Sequence, residues 1–156
     1  MIEFNFVRSA RLFNKLGEQT NFKTNQNPLR SRAFSNKLHC PAKVYDNPDL
    51  QKKDIINENK GKSGVYLWVN KVNGKTYVGS SVNLSRRLKN YYSLNLMGTK
   101  IKLGQSAIYS AILKYGISNF KLDILEYCKI SDVIDREGYY FNLLKPEYNL
   151  LPTAGS

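Results

Sequence analysis

Two tyrosines, one arginine and one glutamate are spaced so that they could carry chemistry together. Tyr66 and Tyr77 lie in two segments of alternating side chains, 64–70 and 75–80, with Asn73-Gly74 between them. An Asn-Gly pair flanked by alternating runs predicts a β-hairpin. Strand side chains point to alternate faces, so Tyr66, Trp68 and Asn70 share a face with Lys75, Tyr77 and Gly79. With a two-residue turn, Val72 pairs with Lys75 and Asn70 with Tyr77. Tyr66 then stands roughly 13 Å from Tyr77, at about 3.3 Å per residue. A longer loop of the same parity brings the two closer, and is the expected arrangement. Packing alone would also account for a pair of strand tyrosines.

A helix is predicted over 131–144, opened by Ser131 and ended before Pro146. On its wheel, Glu137 falls in the middle of the arc drawn by Val133, Tyr140, Leu144, Phe141 and Ile134. A carboxylate turned toward apolar surroundings is costly unless a cation meets it. Two readings stand: a buried structural salt bridge, or a metal ligand facing a cleft. The helix after the hairpin, capped by Asn83 or Ser85 and running to about Leu96, supplies a cation. Arg87 borders its buried face, Tyr91 lies one turn above, and Arg86 points the opposite way. An arginine turned inward can clamp a phosphate with a planar fork of donors.

Positioning these side chains falls to a few short elements. A basic loop is predicted over 98–104. A helix follows over 105–115, burying Ala107, Ile108, Ala111, Ile112 and Tyr115 and stopped by Gly116. A third strand is predicted over 120–127. Upstream, a helix over 48–59 has Asp49 as its cap. The order β-β-α-α-β-α predicts an α+β fold, a small three-stranded antiparallel sheet flanked by helices. Residues 17–41 read as a linker and 4–16 as a short amphipathic helix. Arg8, Arg11 and Lys15 give that helix the look of a mitochondrial presequence, against which Glu3 argues. The chain therefore divides into an N-terminal extension, 1–44, and a compact domain, 45–156.

Composition narrows the class of partner. The 156 residues carry 24 Lys and Arg against 12 Asp and Glu, a net charge of +12. No acidic residue occurs between Glu58 and Asp123, a stretch that holds eleven cations. A surface facing phosphates explains this clustering better than a solvated face does. No run approaches the about 20 apolar residues of a membrane span. Two cysteines make no disulfide framework, and a single histidine argues against a Ser-His-Asp hydrolase.

Gly64-Val65-Tyr66, then Tyr77-Val78-Gly79, then Arg87, Arg136-Glu137 and Tyr148-Asn149, in that order, resemble the signature of the GIY-YIG nucleases. From about Tyr45 to Ser156 the chain is similar to group I intron-encoded homing endonucleases of fungal mitochondria, most of all over 62–70, 77–93, 113–128 and 143–155. The resemblance implies a role for each residue. Tyr66 assists deprotonation of the attacking water. Tyr77 positions water or phosphate, and Arg87 neutralises charge growing on the phosphate. Glu137 holds one divalent cation, Mg²⁺. Asn149 braces the site, and Gly79 lets backbone approach the substrate. Tyr91 stands where many members have histidine, which unsettles the assignment of the general base. Gly138 replaces a larger polar residue, so that helix is expected to be looser. A phenol with a pKa near about 10 is a poor base at neutral pH; Arg87, Lys75 and the metal are each expected to favour the phenolate.

The activity so implied is metal-dependent cleavage of double-stranded DNA by a monomer, without membrane or protein partner, in mitochondria. The alternatives are a catalytically inactive nucleic-acid-binding module on the same fold and, more distantly, a basic structural protein of a ribonucleoprotein. No helix-turn-helix or zinc-finger pattern occurs, and the chain ends at Ser156, soon after Asn149. Little preference for cutting site is therefore expected, unless residues 1–44 supply a recognition arm.

Overall fold

The computed structural model describes residues 40–149. The helix expected over 4–16 and nearly all of the linker over 17–41 lie outside them. Among the described residues four strands are present: β1, Lys43–Tyr45; β2, Gly64–Asn70; β3, Thr76–Ser81; and β4, Phe120–Tyr127. They form one antiparallel sheet in the order β1-β4-β2-β3. Five α-helices among the described residues flank it: α1, Lys52–Glu58; α2, Leu84–Lys89; α3, Leu94–Lys102; α4, Ala107–Tyr115; and α5, Val133–Leu144. The α+β class is as the sequence predicts, and β2 and β4 have the predicted bounds.

The sheet has one strand more than expected. β1 is too short for alternation to show in sequence, and the boundary expected after residue 44 falls inside it. Tyr45 fixes this edge. Its buried ring carries a hydroxyl that donates to Glu58 Oε2 at 2.7 Å and accepts from Asn59 Nδ2 at 3.1 Å, tying α1 to the sheet. α1 begins at Lys52, not near Pro48. Gln51 stands at its N-cap without a side-chain cap bond, and Asn47 rather than Asp49 organises the entry through Leu50 N–H.

Two other helices depart from expectation. The helix predicted to run on to about Leu96 breaks at Ser93, whose extended backbone and Oγ, accepting from Leu96 N–H, open a new helix. Most of the predicted basic loop, 98–104, is therefore helical. α5 is preceded by a 3₁₀ turn, Ile130–Asp132, and Asp132 takes the N-cap position expected of Ser131.

The hairpin decides where the tyrosines go. Its loop is four residues, 71–74, closed by Asn70 N–H to Lys75 O, instead of a two-residue turn. Tyr66 therefore faces Gly79, and Trp68 faces Tyr77. Tyr66 and Tyr77 become diagonal neighbours, with ring centroids 6.5 Å apart. This is the longer loop of equal parity, and it keeps each side chain on its predicted face.

One face of the sheet carries Tyr66, Trp68, Phe120, Leu122 and Ile124 into the main core with Ile55, Leu84, Leu88, Tyr91 and Ile108. The other carries Val65, Leu67, Val78 and Leu125 against Tyr140 of α5. A bulge in β4 shifts the register, so that Val65 pairs with Glu126 while Tyr66 pairs with Ile124. The extra residue turns Glu126 onto the α5 side. There its Oε2 accepts from Arg136 Nε at 2.9 Å and from Tyr140 OH at 3.0 Å, fixing α5 on the sheet.

Two glycines respond in opposite directions to alanine. A Cβ at Gly64 would collide with the backbone carbonyl of Glu126 at the bulge. Gly64→Ala is expected to cost about 1–3 kcal/mol, as overpacking does. At Gly138, mid-helix, a Cβ meets open space. Gly138→Ala is expected to gain about 0.5–1 kcal/mol. Urea denaturation of the two variants checks both signs.

Candidate active site

The short α2 places Arg87. Asn83 caps it through Oδ1, which accepts from Arg86 N–H at 3.0 Å, while Leu84 and Leu88 bury the face toward the sheet. Arg86 is exposed and Arg87 half-buried, as the helical wheel predicts. The Arg87 guanidinium lies among phenols. Its Nε donates to Tyr66 OH at 3.0 Å, while Tyr77 and Tyr109 hydroxyls stand 3.5 Å from its two terminal nitrogens. Tyr91 sits one turn above, its ring centroid 5.7 Å from the guanidinium carbon and its hydroxyl 2.9 Å from that of Tyr66. Among the described residues, no carboxylate lies within salt-bridge distance of Arg87.

Gly79 makes this packing possible. A Cβ there would stand 2.5 Å from the Tyr66 hydroxyl and 2.9 Å from the Tyr77 ring. Any side chain at 79 would push Tyr66 off Arg87. In this chain the small residue admits the Tyr66 ring itself.

Arg87 favours the Tyr66 phenolate as expected, but burial opposes it more strongly. Tyr66 is fully buried, and burial pushes its phenol well above the ordinary range; the Tyr77 phenol adds to this, and Arg87 offsets only part of it. Tyr91 is raised for the same first reason. The phenolate at Tyr66 is disfavoured, because losing its solvation outweighs the attraction of one nearby cation. The surrounding phenols, Tyr66 foremost, hold Arg87 above the usual guanidinium range, so it stays charged. Of the four phenols around Arg87, Tyr66, Tyr91 and Tyr109 are buried and Tyr77 is half-buried.

Glu137 and Asn149 reach the same edge strand from elsewhere. Glu137, half-buried on α5, lies on the opposite side of the sheet from the phenols. Its Oε2 accepts from Ser80 Oγ at 2.8 Å, one residue beyond Gly79. No cation is bonded to it among the described residues, so the buried salt bridge is not what forms. The apolar arc expected around it is only partly buried: Val133 and Tyr140 are, while Ile134 is 80% exposed. After α5, Lys145 adopts a left-handed conformation and the chain turns into the 3₁₀ turn Glu147–Asn149 along the free edge of β3. There Asn149 Oδ1 accepts from Val78 N–H at 2.8 Å, and its Nδ2 donates to Val78 O at 2.7 Å. Glu147 takes the N–H of Thr76 at 2.9 Å in the same way. Side chains of the turn thus satisfy backbone groups on the free edge of β3.

Tyr109, Ser80 and Glu147 are the site residues that sequence reasoning missed. Tyr109 stands beside Ile108 and Ile112 at the margin of an apolar face, where an aromatic with a polar tip is a usable signal. No group of three or more His, Cys, Asp or Glu side chains that could hold a metal ion occurs among the described residues. Glu137 offers a carboxylate on the other face of the same edge strand, at Ser80.

The chain matches the model of the GIY-YIG catalytic domain over residues 62–149. It is similar to the probable intron-encoded endonuclease bI1 of Neurospora crassa, 32% identical over 167 residues, covering 95% of this chain and 36% of that protein. It is also similar to the probable intron-encoded endonuclease 1 of the same fungus, 30% identical over 91 residues, covering 56% of this chain and 28% of that protein. The chain spans roughly a third of the length of these two relatives. Among solved structures, the catalytic domain of homing endonuclease I-TevI is 26% identical, with a TM-score of 0.41, covering 54% of this chain and 89% of that one.

Proposed function

Because this chain belongs to the GIY-YIG catalytic domain family, we propose that it is an endonuclease that hydrolyses phosphodiester bonds of double-stranded DNA with a divalent metal ion. The observation that carries this is Arg87. A half-buried cation bonded to phenols and, among the described residues, to no carboxylate is built to receive an anion from outside. The net charge of +12 supports a polyanionic substrate.

In this reading the terminal nitrogens of Arg87 meet the scissile phosphate and offset the charge added in the transition state. Tyr66, fixed by Tyr91, holds Nε and so aims the fork; in this reading its role is positioning. Tyr77, the phenol nearest to solvent, accepts a hydrogen bond from the attacking water and orients it. Asn149 keeps β3, and with it Tyr77 and Gly79, in place. A Mg²⁺-type ion is commonly held by one or two carboxylates together with water and substrate phosphates, so the lone carboxylate of Glu137, oriented by Ser80, fits it. Such an ion would supply Lewis-acid stabilisation of the phosphate and the leaving oxygen. The two Neurospora relatives are named as intron-encoded; we extend that origin to this chain, with the mitochondrial location and monomeric state that the family resemblance implies.

Tyr66→Phe is expected to slow single-turnover cleavage by roughly 10²-fold, the scale of a small misplacement of a catalytic group, with DNA affinity little changed. An unimpaired rate would remove Tyr66 from the account. The function itself is tested by incubating the chain with supercoiled plasmid and Mg²⁺. Nicked or linear product is expected. Plasmid binding without product under any divalent metal would instead establish a catalytically inactive binding module.

A further inference from the structure

A cavity of about 430 Å³ lies beside the phenol cluster, outside the residues that carry the proposed chemistry. Its size falls within the about 300–1,000 Å³ of ligand clefts. It is bounded by the hairpin loop, the loop before α4, α4 itself and the turn Glu147–Asn149. Resting on the reading of the chain as a DNA nuclease, we propose that this cavity binds the phosphate and deoxyribose of a nucleotide flanking the one being cut.

Charge complementarity argues for that occupant. Lys75 and Lys114 stand on opposite walls, and both are exposed. Neither forms an ion pair among the described residues. Among the described residues no acidic side chain lines the cavity; Glu147, next to Tyr148, accepts from Thr76 N–H and Oγ1 and is attracted by Lys75, so Lys114 carries the less compensated charge. Ser106 and Ser110 add hydroxyls on the α4 side. The floor is apolar, formed by Ile101, Ala111 and Tyr115. A cationic rim over an apolar floor matches a phosphate joined to a sugar.

The walls are held in place. The Tyr148 hydroxyl accepts from Asn70 Nδ2 at 3.0 Å and from Asn73 Nδ2 at 3.2 Å, which ties the turn to the hairpin loop. On the facing side, Lys114 Nζ rests 5.1 Å from the centre of the Tyr115 ring. Position also fits. Lys75 precedes Tyr77 by two residues of extended chain, about 6.6 Å, on the same face. Tyr109, against Arg87, lies on α4 between Ser106 and Ser110. A strand whose phosphate meets Arg87 thus passes the cavity with its next nucleotide.

The test is binding of a short fluorescent duplex to the full chain without divalent metal, across a range of salt. The Lys75→Ala/Lys114→Ala variant is expected to bind roughly tenfold more weakly, as loss of charge-assisted bonds to one phosphate implies. Its plot of log affinity against log salt should flatten by about 0.9, one phosphate contact. Lys53→Ala/Lys129→Ala removes equal charge away from the cavity and should lose much less. Ser110→Trp fills the cavity from an exposed helix position without changing charge, and should also weaken binding. If the two double variants lose affinity equally, or if Ser110→Trp binds like wild type, the cavity is not a subsite. If the wild-type chain fails to bind duplex at all, the nuclease reading beneath the proposal falls with it.

Discussion

Glu137→Gln is expected to bring DNA cleavage down to background while duplex binding stays within about twofold of wild type, because a neutral amide no longer attracts a divalent ion. The substitution keeps the shape of the side chain. The Ser80 hydroxyl can still donate to the amide oxygen, so α5 keeps its contact with the edge of β3. The packing of α5 rests on Arg136 and Tyr140 meeting Glu126, which the substitution leaves alone. A folded variant that binds but does not cut is therefore the expected outcome. Cleavage by Glu137→Gln at near wild-type rate with Mg²⁺ would take the metal away from this carboxylate.

Arg87→Ala is expected to slow cleavage by about 10²–10³, the effect of removing one preorganised stabiliser of transition-state charge. Arg86→Ala should change the rate by no more than a few-fold. The two arginines are neighbours in sequence, but only Arg87 is turned among Tyr66, Tyr77, Tyr91 and Tyr109. Arg86 is exposed and contributes its backbone N–H to the Asn83 cap. Single-turnover rates of both variants on one duplex make the comparison. Equal losses would mean that charge is used diffusely, without the phenol cage that singles out Arg87.

The contrast between the two arginines was legible in the sequence, because helix geometry converts a one-residue step into a large rotation around the axis. So were β2, β4 and the face assignments of Tyr66 and Tyr77, since alternation survives any change of loop length that preserves parity. A longer loop of the same parity is the expected arrangement, but its length of four residues was not legible. Asn73-Gly74 favours a two-residue turn locally, yet pairing Trp68 with Tyr77 and Tyr66 with the gap at Gly79 packs the aromatic core, and that tertiary demand prevailed. The same limit hid β1, whose three residues carry no periodicity, and the break at Ser93, which a wheel drawn through it passes over.

For the candidate site, types and positions were easier to read than environments. Sequence spacing brings a cation near Tyr66 and suggests an easier phenolate. The structure adds complete burial, which acts in the opposite direction and is the larger effect. Likewise the wheel set Glu137 in an apolar arc, but Ile134 projects away from the sheet and leaves that arc half open. Neither burial nor the Ser80 contact can be derived from α5 by itself, since both depend on how the bulge in β4 turns Glu126 toward it. Tyr109 was lost for a related reason. It reaches Arg87 from a helix about twenty residues further on, a distance that no local pattern spans.

The most direct measurement of the central claim, that the Arg87 guanidinium receives the DNA phosphate, is the Nε–H resonance of Arg87 in a nitrogen-15 correlation spectrum. It is assigned by its disappearance in Arg87→Lys and followed as duplex DNA is added to the Glu137→Gln chain with Mg²⁺. The Arg87 signal should shift and saturate with the binding curve, while that of Arg86 moves far less. Saturated binding that leaves the Arg87 signal where it began would contradict the account.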